Sequence, residues 1–405
     1  MKEQHLNNKE PIAPISNAIF LYPFPFVNES RMLREISSLK KFNILKKVIV
    51  IGTKKTGLDD VETINDGFTK IIRLKLEEST SLGRRISRLF GIYFWSKRVV
   101  RYLSKHSDFS IIHCHSLSVL PIAKIFKKKH NISIIYDAHE LESERTGLSY
   151  TRRIISKIYE KHLIRFIDEA WVVGDQIRKW YKRKQGLDAK VVCNYPLSYI
   201  NFNKIEKDNF DLRKKFKIPN TAILYLYQGN FGKGRCINLL LSWFKEIDDN
   251  IAHIIFMGDG FLKDSIQAAS EISKNIHYHQ QVSPAMLLHY TKTADIGIVM
   301  FKPISLSFKY VMPNKLFEYI QAGIAVWASD LTELRKVITD VKNGILIKGN
   351  ISNKEAIKLI NSIRNDQIIE WKMNVRLNRE KYSWEQMEPT IIETYRKLLK
   401  LRNAN

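Results

Sequence analysis

One feature of this chain limits its folds more than any other. Short Ile- and Val-rich apolar runs of strand length alternate with amphipathic stretches of helical length, almost from one end to the other. That alternation is the pattern of βα units, which pair their strands in parallel and cover both faces of the sheet with helices. In the first half, strands are read at about 17–22, 47–51, 110–114, 132–136 and 169–173, with helices at about 30–42, 84–105, 118–129, 151–166 and 175–184. The pattern dissolves between Pro196 and Pro219 and then starts again. Strands fit at about 222–227, 252–257, 276–278, 295–300, 324–328 and 344–347.

A chain of 405 residues exceeds what one core accommodates. The expected architecture is therefore two doubly wound, Rossmann-like parallel-sheet domains facing a central cleft, where ligands of such sheets bind. The expected divisions are a first domain at 1–198, a linker at 199–219, a second domain at 220–382 and a terminal segment at 383–405. That last segment is amphipathic and helical, is interrupted or kinked at Pro389, and is expected to return to the first domain.

Bulk properties exclude several classes. With 44% apolar and 26% charged residues, the chain is neither disordered nor fibrous. Its three cysteines, Cys114, Cys193 and Cys236, lack disulfide or metal-ligand spacing and fit a reducing compartment. The run from Ile19 to Val27 is too short and too broken by prolines to span a bilayer, and the segment Met1–Pro14 is polar. A cytoplasmic protein is expected, with peripheral attachment to the inner face of the membrane as an option. The net charge of +25 favours anionic partners: phosphorylated small molecules, an acidic membrane surface or nucleic acid. Basic residues are interspersed with core strands and no nucleic-acid module appears, so nucleic acid ranks last.

Three segments of the second half carry chemistry. The loop from Tyr227 to Arg235 (YQGNFGKGR) follows an apolar strand and opens a helix. Its Gly229, Asn230 and Gly232 let backbone amides approach a ligand, and Lys233 and Arg235 add positive charge. Read alone, such a loop is also an ordinary tight turn. Ile254 to Gly260 (IIFMGDG) is a buried strand ending in a glycine turn at Gly258. Val311 to Gly323 (VMPNKLFEYIQAG) reads as a helix with Pro313 in its first turn and Gly323 at its end. Asn314 and Lys315 would stand at the anion-attracting start. Lys315 and Glu318 are neighbours on the helix, either as a surface ion pair or as donor-binding groups.

In this order (GNFGKGR, IIFMGDG, ADIGIVMF, MPNKLFEYIQAG), the segments resemble the donor domain of retaining GT-B glycosyltransferases of family four, in the P-N-K-L-F-E-Y branch. The resemblance implies that Glu318 holds the nucleotide ribose and that Lys233 and Arg235 neutralise the diphosphate. One position departs from it. Many family members carry E-x7-E, and here Tyr310 stands eight residues before Glu318.

On the first half, Tyr136 to Glu144 (YDAHELESE) follows a strand and resembles the family's D-x-H-E segment, which puts Asp137, His139 and Glu140 on the acceptor side. His139 is the candidate closest to the reacting sugar, though a lone histidine is more often structural. His115 and His113 end another strand, and a structural or acceptor-lining role is preferred for them over metal ligation. Arg31 and Arg34 begin a helix, facing either phosphate or solvent. Arg84 to Lys105 holds seven Lys/Arg, no acid, and Phe90, Tyr93, Phe94 and Trp95, as suits either a packed helix or one lying on an anionic membrane.

The expected function is transfer of a hexose-type sugar, with retention, from a nucleotide sugar to a saccharide or lipid-linked acceptor in surface polysaccharide assembly. His139, Arg235 and Glu318 are the catalytic candidates, with no cofactor and no metal. Rival readings are a nucleotide-sugar epimerase on the same scaffold and a non-catalytic partner subunit.

Overall fold

A computed structural model describes residues 16–27, 29–76, 84–106, 108–130, 132–198 and 210–403. The segment Met1–Pro14 and most of the expected linker lie outside them. Side chains of the helix at Arg84–Lys105 are described from Phe90 onward.

The first sheet contains β1 (Asn17–Leu21), β2 (Lys47–Thr53), β3 (Val61–Ile64), β4 (Thr69–Leu74), β5 (Ile111–Cys114), β6 (Ser133–Ala138), β7 (Glu169–Val172) and β8 (Lys190–Val191). Their spatial order is β3-β4-β2-β1-β5-β6-β7-β8, parallel except for the edge strand β3. The second sheet holds β9 (Ile223–Asn230), β10 (Ala252–Asp259), β11 (Ile276–Gln280), β12 (Ile296–Val299), β13 (Ala325–Ser329) and β14 (Gly344–Ile347). It is wholly parallel, in the order β11-β10-β9-β12-β13-β14. Both orders reverse direction at one place, between β1 and β5 in the first sheet and between β9 and β12 in the second. Those reversals leave crevices at the strands' carboxyl ends.

The central strands are apolar because each is covered on both faces. β5, β7, β12 and β13 are buried at every position. Three strands escaped the sequence reading. β3 alternates exposed and half-buried residues, β4 is interrupted by Arg73, and β8 is only two residues long. Arg73 is nevertheless buried, donating to Glu62 at 2.6 Å and to the carbonyl oxygens of Asp59 and Phe26.

The C-terminal segment crosses to the first domain. Trp384 donates its backbone N–H to the Pro196 carbonyl at 2.7 Å and its indole N–H to Ser38 Oγ at 2.8 Å. The helix Glu388–Asn403 then lies beside the helix Ser30–Lys41, with Ile391, Ile392, Tyr395 and Leu398 joining the same core as Phe20 and Trp171. Pro389 neither interrupts nor kinks this helix. It occupies the first turn, where its missing N–H has no partner to lose.

Trp384 is 1% exposed, so Trp384→Ala should cost about 3–5 kcal/mol of unfolding free energy, chiefly through lost packing. Urea denaturation followed by tryptophan-independent circular dichroism checks it. A change below about 1 kcal/mol would show that the returning segment adds little to the first domain.

Candidate functional site

The two crevices meet in a cavity of about 710 Å³. Its second-domain wall begins with Tyr319, on the helix Asn314–Ala322. The Tyr319 ring sits where β12 has Gly297, and a Cβ there would stand 2.3 Å from the ring. The Tyr319 hydroxyl accepts from the Gln228 backbone N–H (3.1 Å) and donates to the Leu226 carbonyl (3.0 Å). This locks the helix across β9 and β12 and presents its first turn to the cavity. Pro313 is the residue preceding that turn, with extended dihedrals, rather than part of it. Gly323 ends the helix in the left-handed region at φ 78°.

No side chain caps the helix start, so its first amides are available to an anion. Asn314, Lys315 and Glu318 all line the cavity, as do Gly229, Asn230, Arg235 and Gly258 from the strand-end loops. Gly258 and Gly229 sit so close that a Cβ on Gly258 would fall 2.0 Å from the Gly229 carbonyl oxygen. The strand ends therefore approach as only glycine permits.

The expected pair of Lys315 and Glu318 is not a surface ion pair. Lys315 is buried, and its ammonium lies 3.6 Å from the centre of the Tyr227 ring. Burial pushes its pKa well below the ordinary lysine range; Arg235 pushes the same way, and Glu318 opposes. Glu318 Oε2 instead accepts from Gln228 Nε2 at 2.6 Å, while Gln228 Oε1 accepts from Thr291 Oγ1 at 2.8 Å. Burial raises the Glu318 pKa against the pull of Gln228 and Arg34. Arg235 lies 5.3 Å from the Phe301 ring centre.

Two residues expected at the donor site lie elsewhere. Lys233 is exposed, with its ammonium over the ring of Phe261, outside the cavity lining. Gly232 packs against Asn230 without lining the cavity. The loop turns between Gly232 and Arg235, so adjacent basic residues point in different directions. The second cation beside Arg235 is Lys315.

On the first-domain side, His139 and Glu140 line the cavity. Asp137 and His115 do not. Asp137 is still within β6 and His115 prolongs the β5 ladder by donating its N–H to Leu21, so both are buried beneath the floor. Asp137 Oδ2 lies 3.1 Å from His139 Nε2 and 3.4 Å from His115 Nδ1. Arg31 donates to both Asp137 oxygens at 2.7 Å and to the Val192 carbonyl at 2.7 Å. Burial would raise the Asp137 carboxyl, but Arg31 and His139 hold it well below the usual range. Arg31 is thus internal, whereas Arg34 is half-buried and donates to Asn194 and Ser30. Neither lines the cavity.

His113 and His115, judged too few for a metal from their spacing, are joined in space by Glu35 and Asp137, with donor atoms all within 4.8 Å. The positive charge among them is already the Arg31 guanidinium, 3.1 Å from Glu35 and 2.7 Å from Asp137.

Glu140 ties the halves together. Its Oε1 accepts from Arg145 at 2.6 Å and its Oε2 from Ser307 of the second domain at 3.1 Å. Thr146 and Ser305 bond at 2.8 Å alongside. Ser307, Phe308, Val311 and Met312 line the cavity, whereas Tyr310 packs against the first domain's core. The sequence reading also missed Gln228, Asp259 and Gln281 on this wall. A glutamine ending an otherwise apolar strand was the one available signal.

Two facing Rossmann-like sheets, with a cavity where their switch points meet, define the GT-B architecture. Residues 208–384 match the family model described as Glycosyl transferases group 1. The second domain is thus a group 1 glycosyltransferase domain carried in a GT-B fold. Among curated proteins, the phosphatidyl-myo-inositol mannosyltransferase of Mycolicibacterium smegmatis is 22% identical over 311 residues, 74% of each chain. That of Mycobacterium leprae is 22% identical over 312 residues, 74% of this chain and 76% of its own. Among solved structures, sucrose-phosphate synthase from Thermosynechococcus elongatus superposes with TM-score 0.76 at 15% identity, covering 95% of this chain and all (100%) of its own. Anabaena HepE, in complex with UDP-glucose, gives 0.69 at 12% identity, covering 94% of this chain and 99% of its own.

Beside the site, burial lifts Glu142 to a pKa of about 7, against the pull of Arg145. A carboxyl raised in the fold stabilises it below the unfolded pKa, and that stability is lost as pH rises through about 7. Glu142→Gln should therefore flatten the fall in melting temperature between about pH 5 and 8, relieving at most ~3 kcal/mol at the alkaline end. Parallel slopes for both proteins would show that Glu142 titrates normally.

Proposed function

We propose that this glycosyltransferase moves a hexose, with retention, from a nucleoside-diphosphate sugar to a saccharide or lipid-linked acceptor in surface polysaccharide assembly. The observation that carries the donor half is the convergence of Arg235, Lys315, the uncapped amides at Asn314–Lys315 and Glu318 on one cavity. Arg235 and Lys315 stand beside the uncapped helix amides, and a diphosphate would pair with all of them at once. Glu318, fixed by Gln228, is placed to accept ribose hydroxyls. The HepE complex with UDP-glucose and the mannosyltransferase relatives support a nucleotide-sugar donor and a hexose.

In this reading the sugar lies between the helix start and His139. As its C1–O bond to the diphosphate breaks, C1 becomes oxocarbenium-like and negative charge grows on the leaving oxygens. Arg235, Lys315 and the helix amides stabilise that charge without having to reorganise. Attack by the acceptor hydroxyl on the same face gives retention, its proton passing to the departing phosphate. Asp137, clamped by Arg31, orients the His139 ring toward the sugar. No group beyond the nucleotide sugar is required by this scheme. The acceptor approaches over Glu140, and the basic, aromatic helix Arg84–Lys105 attaches the protein to the cytoplasmic membrane face; among the described residues, no helix is long and apolar enough to cross a membrane.

A thermal-shift screen of nucleoside diphosphates and their sugars, followed by product analysis with the best hit, tests the donor. Arg235→Ala and Glu318→Ala should each lower kcat/KM by about 10²–10³ while leaving the melting temperature without ligand within a few degrees. Wild-type turnover in either variant would remove that residue from the reaction.

A further inference from the structure

The helices Arg84–Lys105, Leu120–His130 and Tyr150–Leu163 lie side by side on one face of the first sheet, burying Trp95, Ala123 and Leu163 in a common core. Their outer surface is unusual in two ways. They carry seven, four and four lysines and arginines, and the only carboxylate among them is Glu160. Glu160 is fully buried, accepting from Tyr136, Tyr181 and Ser143. No negative charge therefore faces outward from these helices.

The second feature is the outward side of the helix Tyr150–Leu163, which is apolar where water should select polar residues. Tyr150, Ile154, Ile155, Ile158 and Tyr159 are exposed, Ile155 by 64% and Ile158 by 66%. Spacings of three, four and five residues put them on one half of the helix, opposite Glu160 and Leu163. Phe90, Tyr93 and Phe94 are likewise exposed on the first of the three helices. In a parallel sheet the helices run against the strands, so these N-terminal turns stand at the strands' carboxyl ends, beside the cleft.

Next to Ile158 opens a second cavity of about 370 Å³, lined also by Lys157, Lys161, Lys184, Trp180 and Leu306. Lys157 is paired with Glu144 at 2.5 Å. Among the described residues, Lys161 and Lys184 have no carboxylate within 4.0 Å. Leu306 belongs to the turn whose next residue, Ser307, lines the main cavity and bonds Glu140. The two cavities thus adjoin across the turn Leu306–Lys309.

We propose that the helix Tyr150–Leu163 seats this protein in the headgroup layer of an anionic membrane, with Lys161 and Lys184 receiving a lipid phosphate at the cleft's edge. An apolar row rimmed by cations matches an interface whose interior is hydrocarbon and whose surface is negative. The same charge opposes a second copy of this chain, which would bring two like-charged faces together. The centre of the row is aliphatic (Ile154, Ile155 and Ile158), which suits lipid hydrocarbon rather than base stacking. The inference deepens the reading of a lipid-linked acceptor and rests on it: the phosphate held here is the one whose attached saccharide reaches Glu140 and His139.

Flotation of the full chain with vesicles of phosphatidylcholine alone, or with about a third phosphatidylglycerol, tests it. The wild type should float with the anionic vesicles and stay below with the neutral ones. Ile155→Glu/Ile158→Glu should weaken binding about tenfold or more, and Lys161→Glu/Lys184→Glu should remove the preference for anionic lipid. UDP-induced thermal shifts should be unchanged in both, which certifies the fold and tests the donor reading separately. Undiminished binding by the isoleucine variant, or no wild-type binding, overturns the membrane assignment. A wild-type dimer in sedimentation that Ile155→Glu dissolves would assign the row to a second copy instead. A missing UDP shift alongside intact vesicle binding would sink the donor site and leave this surface standing.

Discussion

The structure depends on two basic side chains placed where two strands part. Lys315 is held over the Tyr227 ring beside Arg235, with Glu318 turned aside to Gln228. Such an arrangement is costly in the free protein, because burial favours the neutral amine. Everything around the cavity fixes its geometry: Gly297 admits the Tyr319 ring, Gly229 and Gly258 touch, and the first helical turn has one direction in which to point.

The opposite wall works by a different logic. There the charge is fully compensated and buried, with Arg31 grasping Asp137 by two parallel bonds and reaching the backbone at Val192. The Val192 carbonyl belongs to the strand end that leads toward the crossing between domains. A single guanidinium therefore joins the ring of His139, through Asp137, to the segment that sets one half of the protein against the other. Glu140 and Ser307 complete the span across the cleft.

Much of this was legible in the sequence because parallel strands buried on both faces must be apolar, and their lengths and order follow from the runs. The strands that were missed lie toward the edges of the first sheet, where β3 needs no apolar alternation and a buried Arg73 disguises β4. Site residues followed a similar rule. Gly229, Gly258, Asn314 and Glu318, read from their place relative to strand ends and helix starts, line the cavity, and Gly232 does not. Direction was harder. Lys233 and Arg235 flank one glycine, yet only Arg235 enters the cavity, and nothing in the local spacing decides which. Asp137 and His139 are separated by one residue, but the first is still in the ladder and the second has left it, and that difference alone separates the buried from the accessible. Contacts between distant segments, such as Ser307 with Glu140 or Glu35 with the histidines, had no sequence signal at all.

The docking of Trp384 and Tyr395 onto the first sheet has a consequence for how the molecule is made. Phe20, Trp171 and His113 wait for partners that the ribosome adds only after the whole second domain has been translated. The part of that face not covered by the helix Ser30–Lys41 must therefore stay open through most of synthesis, and its completion is the act that fastens both halves. Assembly here closes like a clasp rather than proceeding as two beads on a string.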